Sequence, residues 1–381
     1  MQDKIPVDCI QTSRFEVGSD EIQEIYITAV TTESTDSSQA IAALYDAVTQ
    51  SLNGRDACLL SERLFARPGA VAQLAPIRAE ILGNLDDGLA PTCLDAVNSR
   101  HGQVAGLQVH AVCAPTRPRL VEWQGRPVGR QLVIDDHRWL FVGGLTAPQA
   151  GDRAAQSRRV FEQAAALLEQ QAMTFRNVAR TWCWLGDILD WYGPFNAVRN
   201  DFYTERRLIG PEAADHRMPA STGIGIGPAD GGAWAFELIA VDGPDRPIRY
   251  YEVGGDQCSA YDYGSAFSRS TTVQMPAGRC IFISGTAAID DHGHTEFVGD
   301  AKRQIDATLR HTGAILHESG GRKDQIVSAI TYSKTPQVEA AWSRFALDEV
   351  WPRIDLLSDV CRDDLLFEIE WVAHLAPRRT D

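Results

Sequence analysis

One structural unit is written into this sequence twice over, and a repeat of that kind confines the fold to a chain of like modules. Trp139-Leu140-Phe141-Val142-Gly143-Gly144-Leu145-Thr146-Ala147 parallels Cys280-Ile281-Phe282-Ile283-Ser284-Gly285-Thr286-Ala287-Ala288, each an apolar strand pattern running into a turn of small residues. A long helical pattern follows in both copies, about 153–172 (Val160, Phe161, Ala164, Leu167, Leu168) and 300–318 (Ile305, Leu309, Ile315, Leu316). Next come a strand (178–185 against 326–332), a second helix (about 194–207 against 337–349) and a closing apolar strand (233–241 against 365–373). The N-terminal region repeats the plan more faintly, with strands over 25–30, 57–65 and 106–113 and helices over 38–52 and about 69–84. The pattern predicts an α+β chain of three β-α-β-α-β units, with mixed sheets and helices covering one face of each. The boundaries read as 1–117, 118–245 and 246–381.

Composition narrows the function. No apolar run reaches the roughly 18 residues of a membrane span, and Met1-Gln2-Asp3-Lys4 opens no signal-peptide core, so a cytoplasmic protein is expected. A net charge of −15 argues against nucleic acid or an anionic membrane as partner. It leaves room for a small anionic substrate, because a local arginine cluster can reverse the global sign. The eight cysteines are scattered, with no CxxC pair and no metal-ligand spacing, which fits reduced thiols rather than a disulfide scaffold. His292-Gly293-His294 follows Asp290-Asp291 and reads as a hairpin turn, not a metal site. Gly223-x-Gly225-x-Gly227 lacks the strand-turn-helix and distal acid of a dinucleotide fingerprint.

The closing strand of the last copy carries the chemistry. In Leu365-Leu366-Phe367-Glu368-Ile369-Glu370-Trp371-Val372-Ala373 the two glutamates are two residues apart and so point the same way. A carboxylate is costly to bury as a charge, by several kcal/mol, so burial raises its pKa and suits it to act as a general acid. The competing reading is a half-buried strand whose glutamates are solvated or paired. Glu370 is expected to be a solvated neighbour, or else to raise Glu368 by like-charge repulsion.

The third copy, with Phe282-Ile283-Ser284-Gly285-Thr286, the long helix and Phe367-Glu368-Ile369-Glu370, resembles the Rid (reactive intermediate deaminase) family, usually homotrimers of one such unit. Four central runs are similar to the chorismatase family: Arg180-Thr181-Trp182, Ile188-Leu189-Asp190-Trp191-Tyr192, Phe195-Asn196-Ala197-Val198-Arg199-Asn200-Asp201-Phe202-Tyr203 and Pro219-Ala220-Ser221-Thr222-Gly223-Ile224-Gly225. The resemblance covers about 118–376 and is specific over 180–225 and 358–373. It implies a single-chain pseudo-trimer of Rid-like units, and hence a monomer.

It also implies an activity: cleavage of the enolpyruvyl ether of chorismate to pyruvate and a dihydroxy-diene acid or a hydroxybenzoate, with no metal or organic cofactor. The family's catalytic acid falls on Glu368. In its 3-hydroxybenzoate-forming subgroup a cysteine lies seven residues before that acid, where Cys361 stands here. Such a thiol steers the product as proton donor or nucleophile; the competing reading is a buried structural cysteine. Two substrate carboxylates need convergent cations, for which Arg199, Arg217 and Arg269 are candidates, with Tyr203 one helical turn beyond Arg199. Ser221, Thr222 and Gly223 offer a hydroxyl-and-amide cradle. Tyr261 and Tyr263 match a family tyrosine pair, although Asp262 stands where the family carries a basic residue and the 251–272 segment is short. A second reading is imine or enamine hydrolysis in the manner of small Rid proteins, with Arg353 near the place of their substrate-anchoring arginine. A third is a diverged member that acts on or binds another small carboxylate.

Overall fold

A computed structural model describes residues 9–33, 36–99 and 102–377, so the Met1–Lys4 segment lies outside the described residues. Three mixed sheets are found there. The first has the order β1-β2-β5-β3-β4, from β1 (Ile10–Gly18), β2 (Gln23–Thr31), β3 (Cys58–Ala66), β4 (Thr92–Leu94) and β5 (Val104–Cys113). The second comprises β6 (Arg119–Trp123), β7 (Arg126–Ile134), β8 (His137–Leu145), β9 (Val178–Leu185), β10 (Ala220–Ile224) and β11 (Trp234–Asp242), ordered β10-β9-β11-β8-β7-β6. The third comprises β12 (Ile248–Tyr251), β13 (Ser270–Met275), β14 (Gly278–Ala287), β15 (Ile326–Ser333), β16 (Arg353–Leu357) and β17 (Phe367–His374), ordered β12-β13-β14-β17-β15-β16. Five strands in each sheet keep one order, and in each the short edge strand pairs parallel with its neighbour: β3 with β4, β9 with β10, β15 with β16.

The three-unit α+β expectation therefore holds, with one correction to the unit itself. Each has an extra strand in a hairpin with its first predicted strand (β1, β7 and β13), and the second and third units add an edge strand before it (β6 and β12). All three gain a short parallel strand after the second helix, and the apolar pattern announces none of these. β10 reads Ala-Ser-Thr-Gly-Ile and β4 is three residues long.

The helices are α1 (Ser37–Leu52), α2 (Pro68–Val71), α3 (Leu74–Leu82), α4 (Arg153–Gln170), α5 (Ile188–Glu205), α6 (Ala301–Glu318) and α7 (Pro336–Phe345). The long first helix of every unit starts at an aspartate whose side chain accepts from first-turn amides: Asp36, Asp152 and Asp300. Such caps contribute about 1 kcal/mol each. α5 begins at Ile188 rather than near 194 and runs through Pro194. The lost amide is offset by burial of Ile188, Trp191 and Phe195 and by the Trp191 indole donating to the Gly186 carbonyl at 2.7 Å.

Alternation along the strands explains why they lack a polar face. In β8, Leu140 and Val142 pack on α4 and α5, while Trp139 and Phe141 join a core shared by all three sheets. In β14, Ile281 and Ile283 face α6 and α7, and Cys280 and Phe282 face that shared core. Each sheet is thus covered by helices outside and by the other two sheets inside. No helix among the described residues is long and apolar enough to cross a membrane.

Candidate active site

Glu368 sits on β17 opposite Ala287 of β14 and Tyr332 of β15. The β14–β17 register shifts between Ile283 and Thr286, so Ser284 and Gly285 form a bulge beside the glutamate. A Cβ on Gly285 would lie 2.0 Å from Glu368 Oε1, so the missing side chain is what leaves the carboxyl its place. The residue is 4% exposed, and its carboxyl is pushed up to about 8, first by burial and then by the charge of Glu370, against the opposing pull of Arg180 and Arg269. At neutral pH it holds a proton. Glu370 is not the solvated neighbour expected. It is 3% exposed, and its two oxygens accept from Arg180 Nη2 and Trp182 Nε1, both at 2.8 Å. The cause is the inner sheet-on-sheet core, which turns a face that reads as exposed into an interior one.

Glu368 opens onto a cavity of about 120 Å³ between the second and third units. α5 supplies Tyr192 and Asn196, one turn apart; β10 supplies Ser221 and Gly223; the segment before β13 supplies Tyr263, Ser265, Phe267 and Arg269; the loop before β17 supplies Cys361 and Arg362. That loop is pinned from three sides. Gly225 N donates to the Asp359 carbonyl at 2.9 Å, Lys334 Nζ to the Asp363 carbonyl at 2.8 Å, and Thr295 Oγ1 to Asp364 Oδ1 at 2.9 Å. Burial, then the nearby Glu368, push the Cys361 thiol up to about 12, so it stays protonated at neutral pH.

Two guanidinium groups reach this cavity in a chain of net charge −15. Arg269 donates through Nε and Nη2 to the Cys258 carbonyl (3.1 and 2.8 Å) and through Nη2 to the Tyr263 hydroxyl (2.8 Å), leaving Nη1 uncommitted. Arg362 donates through Nη1 to the Gly293 carbonyl at 2.6 Å. Both lie over the Tyr263 ring, at 5.6 and 5.1 Å from its centroid. Gly293 belongs to the 290–294 turn, where Asp290 Oδ1 accepts from the amides of His292 and His294. The His-Gly-His segment therefore positions an arginine. No cluster of three or more His, Cys, Asp or Glu placed to hold a metal occurs among the described residues.

Of the residues singled out from sequence, Glu368, Cys361, Ser221, Gly223, Tyr263 and Arg269 converge on the cavity. Thr222 stands just behind it, its Oγ1 accepting from Arg180 Nη2 (2.6 Å) and from Gly285 N (3.0 Å). Arg199 is also one layer back: it is buried, donates to Asn196 Oδ1 at 2.6 Å and stacks near Phe195 and Phe267. Tyr203 does not reach the cavity, because its place on α5 turns it into the aromatic cluster of Phe161 and Phe175. Tyr261 leans edge-on to His216 outside the lining. Arg217 pairs with Asp215 at 3.1 Å in a separate cleft with Arg176 and Tyr250. Arg362, Tyr192 and Asn196 also line the cavity and carry little signal in the sequence. The first adjoins Cys361, and the other two share one face of α5 at i and i+4. A larger cleft, of about 560 Å³, lies between the first and third units and includes Arg353. There Arg353 is committed to Asp355 (3.3 Å) and the Glu349 carbonyl (2.8 Å).

The fold defines a single-chain assembly of three like α+β units with one carboxyl-bearing cavity between the second and third. No protein-family model matches the sequence. A crystal structure of a chorismatase superposes with a TM-score of 0.61, covering 94% of this chain and 99% of that one at 20% identity. A Rid-family protein from Yersinia pestis aligns over 34% of this chain and 99% of its own, with a TM-score of 0.28 and 21% identity. In sequence, the chain is 27% identical over 268 residues to a 3-hydroxybenzoate synthase of Streptomyces hygroscopicus, which spans 62% of this chain and 74% of that protein. The resemblance to the chorismatase family is thus borne out in both sequence and fold.

Proposed function

We propose that the protein cleaves the enolpyruvyl ether of chorismate, releasing pyruvate and 3-hydroxybenzoate. The observation that carries this reading is the buried Glu368, its carboxyl raised by burial and by Glu370, facing a cavity that also holds two arginines and a thiol. The name of the Streptomyces relative and the chorismatase fold support it.

An enol ether breaks down through protonation of its terminal methylene carbon. Glu368 gives its proton to that carbon and becomes a carboxylate as the neighbouring carbon turns into an oxocarbenium ion, so one group serves as acid and then as counter-charge. Arg269 and Arg362 meet the two substrate carboxylates. Pyruvate and 3-hydroxybenzoate together contain all the atoms of chorismate, whereas the dihydroxy-diene product requires one water. In the water-free route the ring C–O bond breaks, pyruvate leaves with the ether oxygen, and the adjacent ring hydroxyl closes an arene oxide as its proton passes to Glu368. Cys361, held neutral, protonates the oxide oxygen as it opens and takes back the proton that the ring carbon loses on aromatisation. Capture of the oxocarbenium ion by water instead gives the dihydroxy-diene acid. Arg353, fixed in another cleft, lends no support to the imine-hydrolase alternative.

The test is pyruvate release from chorismate by the purified protein, with the aromatic product separated by chromatography. Absence of pyruvate would overturn the reading. Cys361→Ala is expected to keep pyruvate release within about tenfold of wild type and to turn the product toward the dihydroxy-diene acid; an unchanged product ratio would remove the thiol from the mechanism.

A further inference from the structure

Glu370 takes no part in the transfer just described, yet it is buried and held by two donors at 2.8 Å. It lies two residues from Glu368 on β17, projecting from the same strand face roughly 7 Å away along the backbone. Both of its hydrogen-bond donors come from β9 of the second unit. Arg180 spends Nη2 on Glu370 and Thr222, while its Nε and Nη1 are buried without a partner. Thr222 in turn accepts from the amide of Gly285, the residue whose missing side chain admits Glu368. The Trp182 ring lies under two guanidinium groups, Arg180 at 4.5 Å and Arg63 of β3 at 3.7 Å, and Arg63 is anchored by Glu237 of β11. All three units thus contribute to fixing one carboxylate behind the catalytic one.

We propose that Glu370, clamped by Arg180 and Trp182, is a positioning residue for the reaction: its negative charge adds to burial in keeping Glu368 protonated at rest and favours the return to Glu368 of the proton that the ring gives up on ether cleavage. This rests on the reading of Glu368 as the acid. Among the charged groups facing Glu368, Glu370 is the one that favours the proton, and Arg180 and Arg269 oppose it. Tyr192 of α5, Tyr332 of β15 and Cys361 also face it, and burial holds each of them in its neutral form.

Glu370→Gln keeps the side-chain shape and an acceptor for Trp182 while removing the charge. The test is an infrared pH titration of the buried carboxyl band, assigned by its loss in Glu368→Gln, alongside the pH profile of kcat/KM. The Glu370→Gln midpoint is expected to fall by about one pH unit or more, and the alkaline limb of kcat/KM to fall with it. Arg180→Gln, which removes the opposing cation, is expected to move the midpoint the other way. Opposite shifts cannot come from general loosening of the unit junction. Midpoints that stay at the wild-type value in both variants, with only melting temperature reduced, would overturn the proposal and leave Glu370 as a strut between units. The titration needs no substrate, so lack of pyruvate release by the wild type would overturn the functional reading without deciding the carboxyl shift.

Discussion

Replacing Glu368 by Gln is expected to lower pyruvate release from chorismate by roughly 10²- to 10⁴-fold, the usual contribution of a positioned general acid. The variant keeps the shape of the side chain, so fold and substrate binding remain. The same substitution should stabilise the protein at alkaline pH, and the sign follows from linkage. The folded-state pKa of Glu368 is raised from 4.5 to about 8. Its protonated form is therefore favoured by folding; that stability is fully present below the unfolded value and is lost as pH rises through about 8. Each pH unit between the unfolded and folded values corresponds to about 1.4 kcal/mol, so wild type gives up as much as a few kcal/mol that the neutral glutamine never risks. Melting curves at pH 5 and pH 9 check this: the two proteins should nearly coincide at the lower pH, and Glu368→Gln should melt higher at the upper. An activity loss with no alkaline stabilisation would mean that Glu368 is not a buried neutral acid. Near-wild-type turnover would remove it from the chemistry.

How far the chain can be read from its residues alone follows from which faces are wet. The strands Trp139–Val142 and Ala233–Val241 announce themselves because both of their faces are dry, one under helices and one against the neighbouring sheets. The same dryness misleads the reading of Glu370, since an alternating Glu-x-Glu pattern looks like a solvated face unless a second sheet is known to cover it. β10 escapes notice because Ser221, Thr222 and Gly223 are chosen for the cavity and for Arg180 rather than for an apolar run. Arg362 is hidden among Asp359, Asp363 and Asp364, a loop that reads as solvent-facing until Lys334 and Thr295 are seen to hold it. On α5 the motif Phe195–Tyr203 points to the right helix, but only its phase separates Tyr192 and Asn196, which line the cavity, from Tyr203, which packs on Phe161. Arg217 carries no signal in sequence that distinguishes a substrate clamp from a partner of Asp215 two residues away.

The bulge glycine offers the severest geometric test of the site. Gly285→Ala is expected to reduce pyruvate release by about two orders of magnitude or more, because a near-attack geometry tolerates little displacement of the acid. The added Cβ would stand 2.0 Å from Glu368 Oε1, 3.0 Å from its Cδ and 3.1 Å from Thr222 Cγ2, so the carboxyl must swing out of its place. Gly285 is not in the left-handed region, unlike Gly144 at φ +62°, so alanine is not excluded there by its backbone. The cost to stability should then be that of a modest overpacking, about 1–3 kcal/mol. Two controls separate displacement of the acid from loss of fold. Gly143→Ala crowds Thr92 and Glu237 at the first unit boundary, at 2.8 and 3.4 Å, and should destabilise without touching Glu368 or the product. The double variant Gly285→Ala/Glu368→Gln should be no slower than Glu368→Gln alone, because both changes remove the same proton delivery and their effects cannot add. Full additivity would mean that Gly285 serves the reaction by a route other than Glu368, and unimpaired turnover in Gly285→Ala would show that the acid acts from some other position.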